Sequence, residues 1–116
     1  MATTYKVLGQ AAPAVATNTD LYQVPGNTQA IVSTITVSNT TSAIATYRIA
    51  VRLAAESLST KNYISYDSSL AANDSSAITV GATLRNATSS LGTGDILTIY
   101  SATGGVSITA FGTELN

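Results

Sequence analysis

The residues of this chain with the widest chemical range are its six carboxylates: Asp20, Glu56, Asp67, Asp74, Asp95 and Glu114. Two of them face to face would suffice for a glycosidase, in which one protonates the leaving oxygen and the other attacks or activates water. Their placement points elsewhere, because five lie in or beside turn-forming stretches and Glu114 lies near the C-terminus. Asp74 and Asp95 follow Ala72-Asn73 and Gly92-Thr93-Gly94, where a short acid hydrogen-bonds its own turn backbone. The chain has no His and no Cys, so His-based triads and thiol nucleophiles are excluded. Asp67 and Asn73-Asp74 offer oxygens to calcium, but not at the spacing of an EF-hand. Gly92-Thr93-Gly94 leads into a strand-like run and not a helix, so it does not match a dinucleotide fingerprint. The expectation is a chain that is not an enzyme, with no catalytic residue, no metal and no cofactor.

Binding chemistry is better represented. Arg48 and Arg52 are two of only five basic residues and lie on one strand-like run, on the face opposite its apolar residues. Four residues along a strand place them about 13 Å apart. They read either as solvated residues protecting an edge or as contacts to carboxylates on a partner protein, a task that suits Arg better than Lys. Six Tyr supply nearly all the aromatic content. Most lie in apolar runs and read as core side chains with a hydroxyl at the edge. Exposed ones would make interface anchors or sugar-binding platforms. Tyr63 and Tyr66 fall on opposite faces by simple alternation, which leaves at least one of them exposed.

The elements that must position these groups have a period of two. Tyr47, Ile49, Val51 and Leu53 share one face of a strand and Arg48, Ala50 and Arg52 the other. In Gln29–Ser38, Ile31, Ile35 and Val37 share a face with Ser33, and Val32 opposes them. Shorter strands are expected at Tyr5–Leu8, Leu21–Val24, Asn62–Asp67 and Ala77–Leu84, the last with Ile78, Val80, Ala82 and Leu84 in step. Asp95–Ser101 and Val106–Phe111 read as a hairpin through Thr103-Gly104-Gly105. Ala54–Leu58 is long enough for a single helical turn. The expected fold is all-β: one antiparallel β-sandwich or jelly-roll-like domain over residues 1–116, with about eight short strands. Its core would hold Ile31, Ile35, Val37, Ile49, Val51, Leu97, Ile99, Val106 and Ile108. Gly9–Thr19 is Ala-rich with no useful period, and reads as a long surface loop or as an extended arm laid on a neighbouring subunit.

Only 9% of the residues are charged, against about 25% in an ordinary soluble domain. Thr, Ser, Asn and Gln fill the polar positions, a surface poorly protected against association. A net charge of −1 argues against the basic stripe of a nucleic-acid binder and against a polybasic membrane anchor. A hydrophobic content of 45% argues against disorder. The opening Met1–Leu8 lacks the charged segment and apolar run of a signal peptide, and synthesis in the cytoplasm is expected. Three Asn-x-Ser/Thr matches, at Asn39, Asn73 and Asn86, are what chance gives in so Ser- and Thr-rich a chain.

Thr4-Tyr5-Lys6-Val7-Leu8-Gly9-Gln10, Leu21-Tyr22-Gln23-Val24-Pro25 and Ala30–Asn39 resemble small structural proteins of tailed bacteriophages, cyanophages included. So do Tyr47–Arg52, Tyr63-Ile64-Ser65-Tyr66-Asp67 and Ile108-Thr109-Ala110-Phe111-Gly112; Arg85–Gly94 matches least and reads as an insertion altering one loop. The resemblance implies a virion component without giving its place in the virion. The expectation is a capsid decoration (cement) protein on the capsid exterior, a homo-oligomer (dimer or trimer) bound to the phage major capsid protein, with no nucleic-acid or membrane partner. Its expected contact residues are Gln10, Pro13 and Val15 in the arm and Arg48 and Arg52 on the strand. Alternatives are a tail-fibre, baseplate or neck component, or a carbohydrate-binding host-attachment module.

Overall fold

Alternating β-branched and small polar residues build eight strands in the computed structural model, which describes residues 3–89 and 91–116, Leu91 by its backbone alone. The strands are β1 (Thr3–Ala11), β2 (Thr19–Gln23), β3 (Thr28–Asn39), β4 (Ala45–Arg52), β5 (Tyr63–Leu70), β6 (Ser75–Asn86), β7 (Ile96–Tyr100) and β8 (Val106–Leu115). Among the described residues, helix is confined to 3-10 turns at Leu53–Ala55, Thr60–Asn62 and Leu91–Thr93.

The pairing is nested. Strand β1 pairs with β8, β2 with β7, β3 with β6 and β4 with β5, all antiparallel. The chain is therefore one long antiparallel ribbon, folded between β4 and β5. The ribbon is then rolled, so that β8 also pairs with β3 and β7 with β4. Two sheets result, sheet A in the order β1-β8-β3-β6 and sheet B in the order β2-β7-β4-β5. This is the jelly-roll form of the β-sandwich.

Rolling overturns one expectation. Strands β7 and β8 do not form a hairpin, because β7 lies between β2 and β4 while β8 lies between β1 and β3. Thr103-Gly104-Gly105 is instead an arch from sheet B to sheet A. Gly104 and Gly105 take φ of +69° and +75°, a region that costs glycine nothing. The Ser101 hydroxyl accepts the Gly104 N–H at 2.9 Å and donates to the Thr46 carbonyl at 2.7 Å, turning the chain out of sheet B.

The Gly9–Thr19 segment lies on its own chain. Gly9, Gln10 and Ala11 pair with Ala110, Thr109 and Ile108 as the end of β1. Residues 12–18 then cross from sheet A to sheet B as a loop, tied down by the Ala16 N–H to the Ser101 carbonyl at 2.8 Å. Within β1, where the strand passes against β2, a Cβ on Gly9 would sit 2.2 Å from the Leu21 carbonyl oxygen, so only glycine fits.

Ile35, Val37, Ile49, Leu97, Ile99, Val106 and Ile108 are buried between the sheets as expected. Val51 is half-buried, and Leu53 leaves its strand for a 3-10 turn and is 56% exposed. Ile31 departs most. It is 42% exposed on the outer face of sheet A, and Val32 is fully buried in its place. The cause is a bulge: Val32 pairs with Gly112 and Thr34 with Phe111, so Ser33 is an extra residue on β3. One inserted residue reverses which side chains point inward. Neighbouring β6 carries two extra residues at the same level, Val80 and Gly81, and keeps its parity. Ile78, Val80, Ala82 and Leu84 accordingly stay in step against the core.

The bulge makes a sharp prediction. Ile35→Ala should lower the unfolding free energy by about 2–5 kcal/mol. Ile31→Ala, two residues beyond the reversal, should cost less than about 1 kcal/mol. Urea denaturation of both variants checks it, and equal losses would mean that the two isoleucines share a face.

Candidate functional site

The outer face of sheet B gathers two arginines, two aspartates and three of the tyrosines. Arg48 projects from β4 between β7 and β5. Opposite it β5 is bulged: Tyr47 pairs with Ser68 and Ile49 with Ser65, so Tyr66 and Asp67 together face Arg48. Asp67 adopts φ +50°, a conformation short acids tolerate, and both side chains reach the same guanidinium. Asp67 takes it bidentately, from Nε at 2.7 Å and Nη2 at 3.2 Å. The rings of Tyr66 and Tyr100 stand 4.2 and 4.5 Å from its central carbon, and Tyr63 stands at 5.9 Å. Tyr100 is the registered partner of Arg48 on β7. A second shift in β5, at Ile64, brings Tyr63 onto the same face. Tyr63 and Tyr66 then meet edge to face, their centroids 4.8 Å apart and their planes at 82°. Simple alternation put these two rings on opposite faces, and the bulges overturn that expectation.

Arg52, four residues further along β4, holds a second cluster. Its Nη2 donates to Asp20 at 2.7 Å, its Nε to the Thr98 hydroxyl at 3.0 Å and its Nη1 to the Glu56 carbonyl at 3.1 Å. Nearby, Lys61 pairs with the Glu56 carboxylate at 2.9 Å. Both arginines thus find their carboxylates within their own chain. Hydrogen bonding to Arg48 holds the Asp67 carboxyl below the usual carboxylate range and raises the guanidinium pKa further. Hydrogen bonding to Lys61 lowers the Glu56 carboxyl in the same way.

The outer face of sheet A is chemically opposite. Its side chains run in rows across the four strands: Tyr5-Thr113-Ile31-Thr83, Val7-Phe111-Thr34-Thr79 and Gln10-Thr109-Thr36-Ala77. Thr3-Leu115-Gln29-Arg85 ends the sheet on one side and Ser107-Ser38-Ser75 on the other. Arg85 is the one charged residue in these rows. Tyr5 (83% exposed), Val7, Ile31 and Phe111 surround Thr113 as an exposed apolar cluster.

The expected contact residues are therefore scattered. Gln10 lies exposed on the sheet A face and Val15 exposed on the crossing loop, while Pro13 is buried and offers no surface. Arg48 and Arg52 share the sheet B face. No local pattern marks Glu114, which lies buried at one end of the sandwich. It accepts the Tyr22 hydroxyl and pairs with Lys6 at 3.2 Å. Burial first, and then this bond, push the Tyr22 phenol far above its ordinary range. Asp74 accepts its own turn's Ser75 N–H as expected. Asp95 does not; it bridges the Ala54 and Arg85 N–H groups at 2.8 and 3.0 Å, tying two distant segments together. A cleft of about 230 Å³ lined by Asn27–Gln29, Arg85–Ala87 and Leu115-Asn116 is smaller than an ordinary ligand pocket of roughly 300–1,000 Å³.

No protein-family model matches the chain, and no curated protein matches it in sequence.

The Arg48–Asp67 pair has a pH signature. Asp67 binds its proton less tightly folded than unfolded, so the pair's stabilisation is complete above the unfolded pKa. It is lost as pH falls through the lower, folded value. The difference in melting temperature between the parent and Asp67→Asn should be constant above about pH 5 and shrink progressively as the solution is acidified below that. A difference unchanged by acid would mean that the pair contributes nothing electrostatic.

Proposed function

We propose that this chain is a structural protein of a tailed-phage virion, a capsid decoration protein that oligomerises on the exterior of the shell and clamps its capsomers. The observation that carries this reading is the outer face of sheet A, a four-stranded surface with one charge at its margin and an exposed apolar cluster across β1, β8 and β3. Charge-poor patches of this kind are covered by partners more often than left in water. Four strands about 4.8 Å apart and about nine residues long give a patch of roughly 600 Å². A specific interface needs about 500 Å² from each partner, so the face is large enough. Jelly rolls serve as viral capsid and lectin domains among others, so the fold is compatible with the reading without selecting it.

The mechanism is linkage. A protein that binds the assembled shell and not its loose subunits stabilises the shell by its binding free energy, and many copies add. Contacts made by Thr, Ser, Val, Ile, Tyr and Phe are not screened by salt. The contact surface is thus placed on sheet A, including Gln10, and not on Arg48 and Arg52, whose charges are already matched.

Purified chain added to particles lacking it should co-sediment with them saturably, and to the same extent in about 0.1 and 1 M salt. Ile31→Asp with Phe111→Asp should abolish binding while the circular dichroism spectrum stays that of the parent. Loss of binding in high salt, or full binding by the double variant, would contradict docking through this face.

A further inference from the structure

We propose that the outer face of sheet B is a binding site for neutral saccharides, centred on Tyr66, Tyr63, Arg48 and Asp67. The site is built, not incidental. Two register shifts within Tyr63–Ser68 are needed to bring Tyr63, Tyr66 and Asp67 to one side of an edge strand. Regular pairing would have turned one of the two rings away. The edge-to-face contact at 4.8 Å and 82° leaves Tyr63 and Tyr66 as the two walls of a right-angled corner. Tyr66 is 55% exposed although it also covers a guanidinium.

The chemistry of the corner selects its ligand. An aromatic ring face, electron-rich at its centre, attracts the weakly positive C–H groups on one face of a pyranose. Beside it the Arg48–Asp67 pair presents donors and acceptors in one planar fork, suited to two adjacent hydroxyls at once. The side chain of Asp67 keeps 42% of its surface and that of Arg48 22%, so both remain reachable. Charge is what the site lacks. Arg48 is matched by Asp67, Arg52 by Asp20 and Lys61 by Glu56. An anionic ligand would have to displace Asp67 from Arg48 and meet its repulsion, whereas a hydroxylated neutral ligand can bond to both. The Arg52-Thr98-Asp20 cluster lies about 13 Å along β4, a distance suited to an oligosaccharide and not to a single sugar.

This site lies on the opposite side of the sandwich from the face proposed to dock on the shell, so docking would leave it facing outward. Its test needs no particle. The purified chain is applied to an array of neutral and anionic oligosaccharides, and the strongest binder is carried into saturation-transfer NMR. Binding to neutral glycans is expected, weakened about tenfold or more by Tyr66→Ala and by Arg48→Lys, and unchanged by Tyr5→Ala on the other face. Tyr66→Leu guards against misfolding, because it keeps apolar bulk over the arginine; it should stay folded and bind as poorly as the alanine variant. Failure to bind any neutral glycan, binding of anionic glycans alone, or full binding by Tyr66→Leu would overturn the proposal. Failure of shell docking with glycan binding intact would leave it standing.

Discussion

A strand in a two-sheet sandwich can bury only every second side chain, and the structure depends on how that alternation is kept or broken. Sheet A shows both. Around Phe111, β8 adds no residue, β3 gains one and β6 two on one side of it, and β1 gains one on the other. Single insertions reverse parity and the double one preserves it. Leu8 and Gly9 on β1 therefore share a face, and β3 switches its buried set from Ala30 and Val32 to Ile35 and Val37. In sheet B the same device works outward. The bulge at Tyr66-Asp67 converges an aromatic ring and a carboxylate on Arg48. Bulges bend the chain and aim side chains, and here they set both the core and the surface.

The two outer faces divide the chemistry between them. With only six acids and five bases, placement matters more than number. Sheet B carries Arg48, Arg52, Asp20 and Asp67 on its outer face, each matched within the chain. The outer face of sheet A has only Arg85, at its margin. An isolated sandwich would be kept from associating by charge on both sides. A particle component that lies flat on one face and meets solvent with the other has a reason for this asymmetry. The proposed salt-independent docking and the proposed reading of hydroxyls would both rest on this one distribution of side chains.

Much of the architecture was legible from the residues. The period-two runs located every strand, because β-branched residues alternating with Thr and Ser leave a clear signal. The all-β fold follows from them. What alternation cannot encode is where it breaks. Nothing in Val32-Ser33-Thr34 marks Ser33 as the inserted residue, so Ile31 reads as core. The same blindness separates Tyr63 from Tyr66. Gly104-Gly105 signals a turn, but the signal does not tell a hairpin from an arch; that depends on the rolled ribbon placing β7 between β2 and β4. Of the site, the pairing of Arg48 and Arg52 on one face was legible. Their partners Asp67 and Asp20 lie 19 and 32 residues away, and only the fold brings them together. Glu114 looked like a terminal acid because its cover, Tyr22 and Lys6, comes from the other end of the chain.

The central claim is that this two-faced jelly roll coats a phage shell. The copy number of the chain per purified virion, measured by quantitative mass spectrometry against the major capsid protein, tests it most directly. Hundreds of copies, in simple proportion to the capsid protein, are predicted. A few copies to a few tens would place the chain in the tail or neck, and none at all would remove it from the virion; either result contradicts the account.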